Sequence, residues 1–240
     1  MNNMVIDFHT HILPQMDDGS TSLEMTRRLL QMEYSQGTQA VVATPHFYAQ
    51  KEFPEQFLER RSKRMSQVKE LLKTEVFAQK MEIYAGAEVL YYPGISRSAA
   101  LPRLCIEEKD ILLLEMPFRE WDKEVYQEVK QIIEIRRLKV ILAHVERYAK
   151  YQKNKDIWNE IQKLPLILQI NADDLCSFTR RGLCRKILKQ EIPVVLGSDC
   201  HNLQKRPPQM EKGRQVIRNM AEGKETLERM DVFGAQVLGL

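Results

Sequence analysis

The chain has little of what marks several large classes of protein. No apolar run approaches the roughly 18 residues that a membrane-spanning helix needs, and the amino terminus lacks a basic segment followed by a long apolar one. We therefore expect neither membrane insertion nor a signal peptide. The four cysteines form no C-x2-C pair and no disulfide-dense pattern, which favours a reducing, cytoplasmic compartment.

A strong excess of charge of either sign is also missing. The 240 residues carry 36 basic and 33 acidic side chains, a net charge of +3, so the composition does not favour binding to nucleic acid. Hydrophobic residues make up 43% of the chain, which is enough for one globular core. Because no linker, low-complexity tract or internal repeat interrupts the sequence, we predict a single domain over residues 1–240.

Short apolar runs alternate with longer amphipathic stretches along the chain. Such alternation indicates parallel βα units. With about seven strands and no glycine fingerprint of a dinucleotide-binding fold, we predict an α/β protein built as a distorted parallel (β/α) barrel. The predicted strands are 4–9, 40–46, 81–89, 110–117, 139–147, 166–172 and 194–201. The predicted helices are 20–37, 54–75, 122–137, 155–163, 177–190, 209–221 and 224–237.

Histidine is scarce, and its few copies are not scattered. In a βα barrel the carboxyl ends of the strands form the active-site face. All five histidines lie at such an end or just beyond it: His9, His11, His46, His144 and His201. Carboxylates take similar positions, namely Asp17, Asp18, Glu88, Glu115 and Asp199. A charge that ends an otherwise apolar strand needs a partner, and metal ions would satisfy all of these groups at once.

The types of side chain narrow the choice of metal. Residues two apart on a strand face the same side, so His9 and His11 can point to one ion, and so can Asp199 and His201. A set of imidazoles and carboxylates without thiolates favours manganese, iron or zinc. The candidate ligands are too many for one ion. We therefore predict two or three divalent ions that share bridging carboxylates.

The stretch "SDCHNLQKRPP" (198–208) contains two signatures with incompatible chemistries. Cys200 and Arg206 have the C-x5-R spacing of phosphatases that attack phosphorus with a thiolate, whereas Asp199 and His201 suit a metal ion. A thiolate phosphatase needs a loop of backbone N–H groups around the phosphate, usually with glycine. This loop has no glycine and ends in two prolines, which lack that donor. We interpret the C-x5-R spacing as coincidence and Cys200 as a packing residue.

A set of motifs in fixed order resembles a known family. The chain resembles the PHP (polymerase and histidinol phosphatase) superfamily, and more closely its CpsB/CapC-type branch. That branch comprises bacterial manganese-dependent protein-tyrosine phosphatases of capsule and exopolysaccharide loci. The resemblance runs from Met4 to Met210. It rests on "DFHTHILPQMDDG", "ATPH", "YAGAEVLYY", "LLLEMP", "LAHVERY" and "GSDCHNLQKRPP".

The resemblance implies nine metal ligands in three sets, with Asp18 rather than Asp17 chosen from the acidic pair. The first set is His9, His11 and Asp199; the second is Glu115, His144 and Glu88, which bridges to the first ion; the third is Asp18, His46 and His201. It also implies that Arg147 and Arg206 grip the phosphate. Between Asn171 and Asp199 the chain is shorter than the family pattern, which leaves the ligands intact but alters the rim of the site.

The resemblance further implies an activity and a partner. The activity is hydrolysis of phosphotyrosine in proteins by a metal-activated hydroxide, with manganese expected and iron or zinc as alternatives. The implied substrate is a bacterial tyrosine autokinase of polysaccharide export. The rival activity is another PHP phosphoesterase, such as histidinol-phosphate phosphatase. A non-enzymatic metal-binding adaptor is disfavoured, because such a scaffold needs no phosphate grip. The oligomeric state stays open.

Overall fold

Parallel strands wrap into a distorted barrel in this computed structural model, which describes residues 4–107 and 109–240. The predicted domain covers residues 1–240. Its first three residues and residue 108 lie outside the described residues. The strands are β1 (Ile6–Thr10), β2 (Ala40–Ala43), β3 (His46–Phe47), β4 (Glu82–Ala85), β5 (Glu88–Leu90), β6 (Ile111–Glu115), β7 (Lys139–Leu142), β8 (Leu166–Asn171) and β9 (Val194–Gly197).

The strand order confirms the predicted barrel of about seven strands. One sheet has the order β1-β2-β4 and the other β3-β5-β6-β7-β8-β9, and their pairings are parallel. Two-residue breaks separate β2 from β3 and β4 from β5, so each pair acts as one interrupted strand. A bridge between Thr10 and Cys200 joins the end of β1 to the chain beyond β9 and closes the ring.

Helices cover the outside of the barrel and alternate with the strands. Within the described residues they are α1 (Leu23–Ser35), α2 (Pro54–Leu72), α3 (Leu101–Leu104), α4 (Lys123–Glu134), α5 (Asp156–Gln162), α6 (Ala172–Cys176), α7 (Arg181–Leu188), α8 (Met210–Arg218) and α9 (Gly223–Leu238). Local caps explain two of the starts. The Ser22 hydroxyl accepts from the backbone N–H of Met25, and the Asp122 carboxylate accepts from that of Val125. None of these helices is both long and apolar enough to cross a membrane.

The predicted helix at 177–190 is wrong in its bounds. The chain turns helical at Ala172, immediately after β8, and forms the short α6. It then becomes extended at Ser177 before α7 begins at Arg181. Two acidic residues in the first turn of α6, Asp173 and Asp174, favour a helix start there. The division places Asp174 beside the strand ends, where it matters for the site.

The core forms two layers, one inside the barrel and one between strands and helices. Phe8, Leu113, Ile141 and Ile167 are buried inside the barrel. The last turns of α9 close the end of the barrel where the strands begin. They pack against Phe8, since a Cβ at Gly234 would lie 3.1 Å from its ring. The carboxyl ends of the strands stay open at the opposite end, which leaves that face for the site.

An irregularity in β1 overturns one expectation from strand alternation. Alternation along β1 predicts that Asp7 lies on the same side as His9, but the register with β2 shifts between Asp7 and Thr10. Asp7 instead accepts hydrogen bonds from the backbone N–H groups of His9 and Ser198. Burial raises the pKa of Asp7, and burial together with Asp7 raises that of Glu33 on α1. Asp7 therefore supports the strand ends from behind and does not contact the imidazole of His9.

Helices α8 and α9 are joined by a buried, bidentate ion pair between Arg214 and Asp231, at 2.6 and 2.8 Å. We expect Asp231→Ala to lower the free energy of unfolding by about 3–5 kcal/mol, because it leaves a buried guanidinium without its partner. Urea denaturation followed by circular dichroism measures this loss. Glu211→Ala removes the exposed partner of Arg218 and should cost less than about 1 kcal/mol. Equal losses in the two variants would contradict this role for the buried pair.

Candidate metal centre

The barrel brings the predicted ligands together at its open face. His9 lies in β1 and His11 just beyond it, His46 begins β3, Glu88 begins β5, and Glu115 ends β6. The remaining ligands follow β7 and β9, apart from Asp18 in the loop before α1. They are mostly buried. Only the side chain of Asp18 is largely exposed, at 70%.

His9, His11 and Asp199 form the innermost group. The two Nε2 atoms lie 3.1 Å apart, and Asp199 Oδ1 lies 3.7 Å from that of His9 and 3.4 Å from that of His11. These three residues form one of the groups whose ligand atoms all lie close enough together to hold one ion. They are the same three residues that the family resemblance assigns to its first ion.

Glu88 occupies the middle of the cluster. Its Oε2 lies 3.2 Å from His9 Nε2 and 2.8 Å from His46 Nδ1, and its Oε1 lies 2.8 Å from His144 Nε2. Glu115 Oε1 lies 3.6 Å from the same His144 nitrogen. The ligand atoms of His46, Glu88 and Glu115 also lie close enough together to hold one ion, so His46 competes with His144 for this position. Glu88 thus faces ligand atoms on both sides, as a bridging carboxylate must.

The outermost group separates the two acidic residues that sequence spacing alone could not distinguish. Asp18 Oδ1 lies 3.7 Å from His46 Nε2 and 3.4 Å from His201 Nε2. Asp17 instead accepts hydrogen bonds from His11 Nδ1 and the backbone N–H of His46, at 2.7 and 2.8 Å. Asp18 is free to bind an ion, whereas Asp17 orients a neighbouring histidine.

The hydrogen bonds of the histidines show that the residues present fit metal ions. His9, His11 and His201 each use Nδ1 in a hydrogen bond, to Gln169 Oε1, Asp17 Oδ2 and the Asp199 carbonyl respectively. That arrangement leaves each Nε2 lone pair directed into the cluster, as in metal sites generally. Within the described residues, Glu88 Oε2 and His201 Nε2 are buried without a hydrogen-bond partner. A cation would satisfy these atoms.

Two of the predicted ligands have a backbone that non-glycine residues rarely adopt. His144 has a φ of 30° and Asp199 a φ of 52°. Each lies two residues beyond the end of a strand. Such conformations cost of order 1–3 kcal/mol each and persist where the surroundings enforce them. Here the left-handed turns direct each side chain towards the cluster.

Two arginines reach the cluster, one at each carboxylate oxygen of Asp199. Arg147 Nη1 lies 3.0 Å from Asp199 Oδ2, and Arg206 Nη2 lies 2.7 Å from Asp199 Oδ1. Both guanidinium groups are partly exposed. Burial raises the pKa of Asp199, but His9, His11 and Arg147 outweigh it and hold that pKa well below the usual range. The arginines can therefore reach an anion that binds over Asp199 from the open side.

Comparison with known proteins gives the family directly. A family model described as "Capsular polysaccharide synthesis, CpsB/CapC" matches residues 5–236. The chain belongs to the CpsB/CapC family. This match confirms the resemblance drawn from the motifs.

Curated members of the family align over nearly the whole length of the chain. Tyrosine-protein phosphatase CpsB of Streptococcus pneumoniae is 28% identical over 234 residues, which cover 93% of this chain and 94% of that protein. Tyrosine-protein phosphatase YwqE of Bacillus subtilis is 24% identical over 212 residues, which cover 84% of this chain and 79% of that protein. The crystal structures of YwqE and CpsB, "unique metal-dependent tyrosine phosphatases", include a chain that matches with a TM-score of 0.81. That chain is 22% identical, and the match covers 98% of this chain and 94% of the other. This last likeness shows the fold.

The sulfur interpretation of "SDCHNLQKRPP" does not fit this CpsB/CapC chain. Cys200 is fully buried in the core between strands and helices, where burial, followed by Glu33 and Asp7, raises the pKa of its thiol well above the usual value. Asn202 Oδ1 accepts the backbone N–H groups of residues 204, 205 and 206. Those donors therefore cannot surround a phosphate next to the sulfur. The same turn directs Arg206 back towards Asp199.

Sequence reasoning missed a second layer of residues in this CpsB/CapC site. Gln169 Oε1 accepts from His9 Nδ1 and from the backbone N–H of His144, at 3.0 and 2.7 Å. Its amide donates to Asn171, which in turn donates to Asp199 Oδ2 at 2.8 Å. The signal was present in "LILQINA": its two polar residues, Gln169 and Asn171, are two apart and so lie on one face at the end of an apolar strand. A Cβ at Gly197 would lie 2.5 Å from that of His9, so glycine leaves room for this layer.

The electrostatics of the cluster distinguish its members. Burial, with added repulsion from Glu88, raises the pKa of Glu115 to about 8. Burial also lowers the pKa of His201, to about 4, so that its imidazole is neutral at physiological pH. Ligands bind metal in their deprotonated forms, and ion binding would displace the proton from Glu115. Burial lowers the pKa of His11, but Asp17 outweighs it and raises that pKa well above the usual value, so ion binding would displace a proton there too. The cluster then supplies imidazoles and carboxylates, the ligands that manganese, iron and zinc share.

Proposed function

We propose that this CpsB/CapC chain is a metal-dependent phosphatase that hydrolyses phosphotyrosine in proteins. The observation that carries the proposal is the pair Arg147 and Arg206, which converge over Asp199 beside a buried cluster of imidazoles and carboxylates. Metal ions bound in this cluster, together with the two guanidinium groups beside it, would suit a phosphate dianion. The relatives named as tyrosine-protein phosphatases support the choice of substrate.

Two to three divalent ions are proposed for the cluster, with manganese as the expected metal and iron or zinc as alternatives. The proposed ligands are those that the resemblance assigns: His9, His11, Asp18, His46, Glu88, Glu115, His144, Asp199 and His201. When bound, the ions supply positive charge and lower the pKa of bound water towards about 7, which yields a nucleophile at neutral pH.

The chain itself supplies binding and orientation. Arg147 and Arg206 present planar donor pairs that match the oxygens of a phosphate and place it over the cluster. Charge stabilisation and positioning of this kind provide most of the catalysis in phosphoryl transfer. Gln169 and Asn171 hold His9 and Asp199 in place, so that the cluster keeps its geometry when substrate enters.

Aromatic rings at the mouth of the site suit an aryl ester. Phe118 stacks on the imidazole of His144, with centroids 5.8 Å apart, and its side chain is 43% exposed. Tyr48 stacks on the imidazole of His46 at 5.0 Å. The two rings follow strands β3 and β6, which lie on either side of β5 and hence of Glu88. The phenyl ring of an aryl ester whose phosphate lies over the cluster would meet apolar surface there.

The broader context completes the proposal. We place the enzyme in the cytoplasm, as one domain over residues 1–240, with a bacterial tyrosine autokinase of polysaccharide export as its protein substrate. The family description, capsular polysaccharide synthesis, supports such a partner.

The test is phosphate release from three substrates, each with chelator and with added Mn²⁺. We expect release from a phosphotyrosine peptide, loss of that release in chelator, and recovery when Mn²⁺ is restored, because the arginines alone supply no nucleophile. Histidinol phosphate tests the rival PHP activity, and a phosphorylated oligonucleotide end tests a nuclease-type one. Chelator-resistant release, or preferred turnover of histidinol phosphate, would contradict the proposal.

A further inference from the structure

A groove of about 270 Å³ separates α5 from α7 on the flank of the barrel. Its walls combine the indole of Trp158 with Lys155 on one side and Lys186 on the other. Amide side chains lie between them, from Asn159 and Gln190 among others. None of the residues that line the groove is acidic. Apolar surface, amides and uncompensated positive charge are together suited to an extended peptide that carries negative charge.

The groove belongs to a basic segment in a chain that is otherwise nearly neutral. Between residues 175 and 190 the sequence has five basic residues and no acidic one, although the net charge of the whole chain is only +3. Lys155 and Lys186 are exposed, and no ion pair within the described residues involves either of them. The acidic residues of α5 are engaged elsewhere: Asp156 accepts from Asn154, and Glu160 pairs with Lys163.

An aromatic path connects the groove to the metal cluster. Trp158 stacks on Trp121 at 5.3 Å, Trp121 contacts Tyr148 at 5.3 Å, and Tyr148 contacts the imidazole of His144 at 5.5 Å. The groove therefore lies within roughly 16 Å of a candidate ligand, a distance that about five residues of extended chain span. Trp121 and Tyr148 are buried, so a peptide passes over them on the surface, where Ala149 of the groove lining lies two residues beyond Arg147.

An ionic path leads the same way. Asp174 on α6 accepts from Arg147 Nε at 3.4 Å and pairs with Arg180, which directly precedes α7. Arg181 lies over the ring of Phe178, whose side chain is 85% exposed. The positive charge that begins at the phosphate site thus continues along the rim and down α7.

We propose that the α5–α7 groove docks an acidic segment of the phosphoprotein substrate, about five residues from the phosphotyrosine. The proposal rests on the proposed function and adds a substrate preference to it. Lys155 and Lys186 pair with carboxylates of the segment, and Trp158 packs against its backbone and apolar side chains. The groove raises affinity for the peptide and leaves the chemistry at the cluster unchanged.

The test compares matched phosphotyrosine peptides that have four glutamates, or four glutamines, starting five residues from the phosphotyrosine on either side. We expect a KM roughly five- to tenfold lower for one of the acidic peptides at low salt, with equal kcat, because exposed charge pairs each contribute little but act together. Lys155→Glu/Lys186→Glu should abolish that difference. The same variant should hydrolyse p-nitrophenyl phosphate at an unchanged rate, because this substrate is too small to reach the groove.

The matched control reverses the same amount of charge elsewhere. Lys139 at the amino end of β7 and Lys224 on α9 are exposed and lie outside the groove lining, so Lys139→Glu/Lys224→Glu should keep the preference for acidic peptide. Equal KM values for the acidic and glutamine peptides would overturn the docking proposal. So would a preference that survives in the groove variant.

A binding measurement separates this proposal from the proposed function. Fluorescence anisotropy of an unphosphorylated, glutamate-rich peptide reports on the groove even if no substrate is hydrolysed. Binding that Lys155→Glu/Lys186→Glu abolishes supports docking, whereas failure to hydrolyse any phosphotyrosine peptide would refute only the catalytic proposal. Absence of peptide binding, with capture instead by vesicles that contain phosphatidylserine, would overturn the assignment to a peptide.

Discussion

Asp199→Ala is expected to lower phosphate release from a phosphotyrosine peptide by roughly a thousandfold or more. Asp199 lies among the imidazoles of His9 and His11 and pairs with both arginines. Its loss removes a proposed ligand and the charge that holds the phosphate grip in place. Several kcal/mol of stabilisation are lost together, and each 1.4 kcal/mol is about tenfold in rate. Steady-state kinetics with saturating Mn²⁺ measures the effect.

The neighbouring residue provides the control. Cys200→Ser should keep most of the activity, because Cys200 is buried in the outer core layer and the backbone donors of the following loop are bound by Asn202. Circular dichroism confirms that both variants are folded, and measurement of bound manganese shows whether Asp199→Ala loses metal. If Cys200→Ser were inactive and Asp199→Ala active, the thiolate would be the nucleophile and the metal centre would be wrong.

The order of strands and the faces of their ends were predictable because both follow from short-range patterns. A histidine such as His46 or His144, directly after an apolar run, must lie at the carboxyl end of a parallel strand. The alternation of polar and apolar residues then determines which side it faces. Residues that obey these two rules could be located from the sequence, and the structure brings them together.

The features that the sequence did not reveal depend on contacts between distant segments. Asp7 faces α1 because β1 slips in register against β2, and local alternation contains no information about that slip. The left-handed backbone of His144 and Asp199 is enforced by the surrounding site. Asp174 contacts Arg147 only because α6 begins at once after β8, where the sequence indicated no helix. Choice of Asp18 over Asp17 likewise needed the family pattern.

The supporting layer explains why the cluster can be so dense. Five imidazoles and several carboxylates in one buried volume would repel one another unless protons or cations were shared among them. Three histidines donate from Nδ1 to the oxygens of Gln169, Asp17 and the Asp199 carbonyl, and these hydrogen bonds fix their tautomers. Each fixed tautomer presents a lone pair rather than a proton to the cluster. The site is thus organised for cations before any phosphate enters.

Removal of both arginines tests the phosphate grip separately from the metal. Arg147→Ala/Arg206→Ala is expected to lower kcat/KM by about 10²–10³, in the range measured when a group that stabilises developing charge is deleted. Bound manganese should stay at the level of the unaltered protein, because neither arginine is a proposed ligand. The corresponding lysine variants should recover only part of the loss, since an ammonium group cannot bind a phosphate through two parallel hydrogen bonds.

An exposed arginine on α3 gives the comparison for this double variant. Arg103 pairs with Glu55 on the surface, so Arg103→Ala should leave kcat/KM within about twofold of the unaltered protein. If Arg147→Ala/Arg206→Ala retained activity with normal metal content, phosphate binding would depend on the ions alone and the proposed role of the arginines would be wrong. Loss of manganese along with activity would show that the arginines stabilise the cluster through Asp199 rather than hold the substrate.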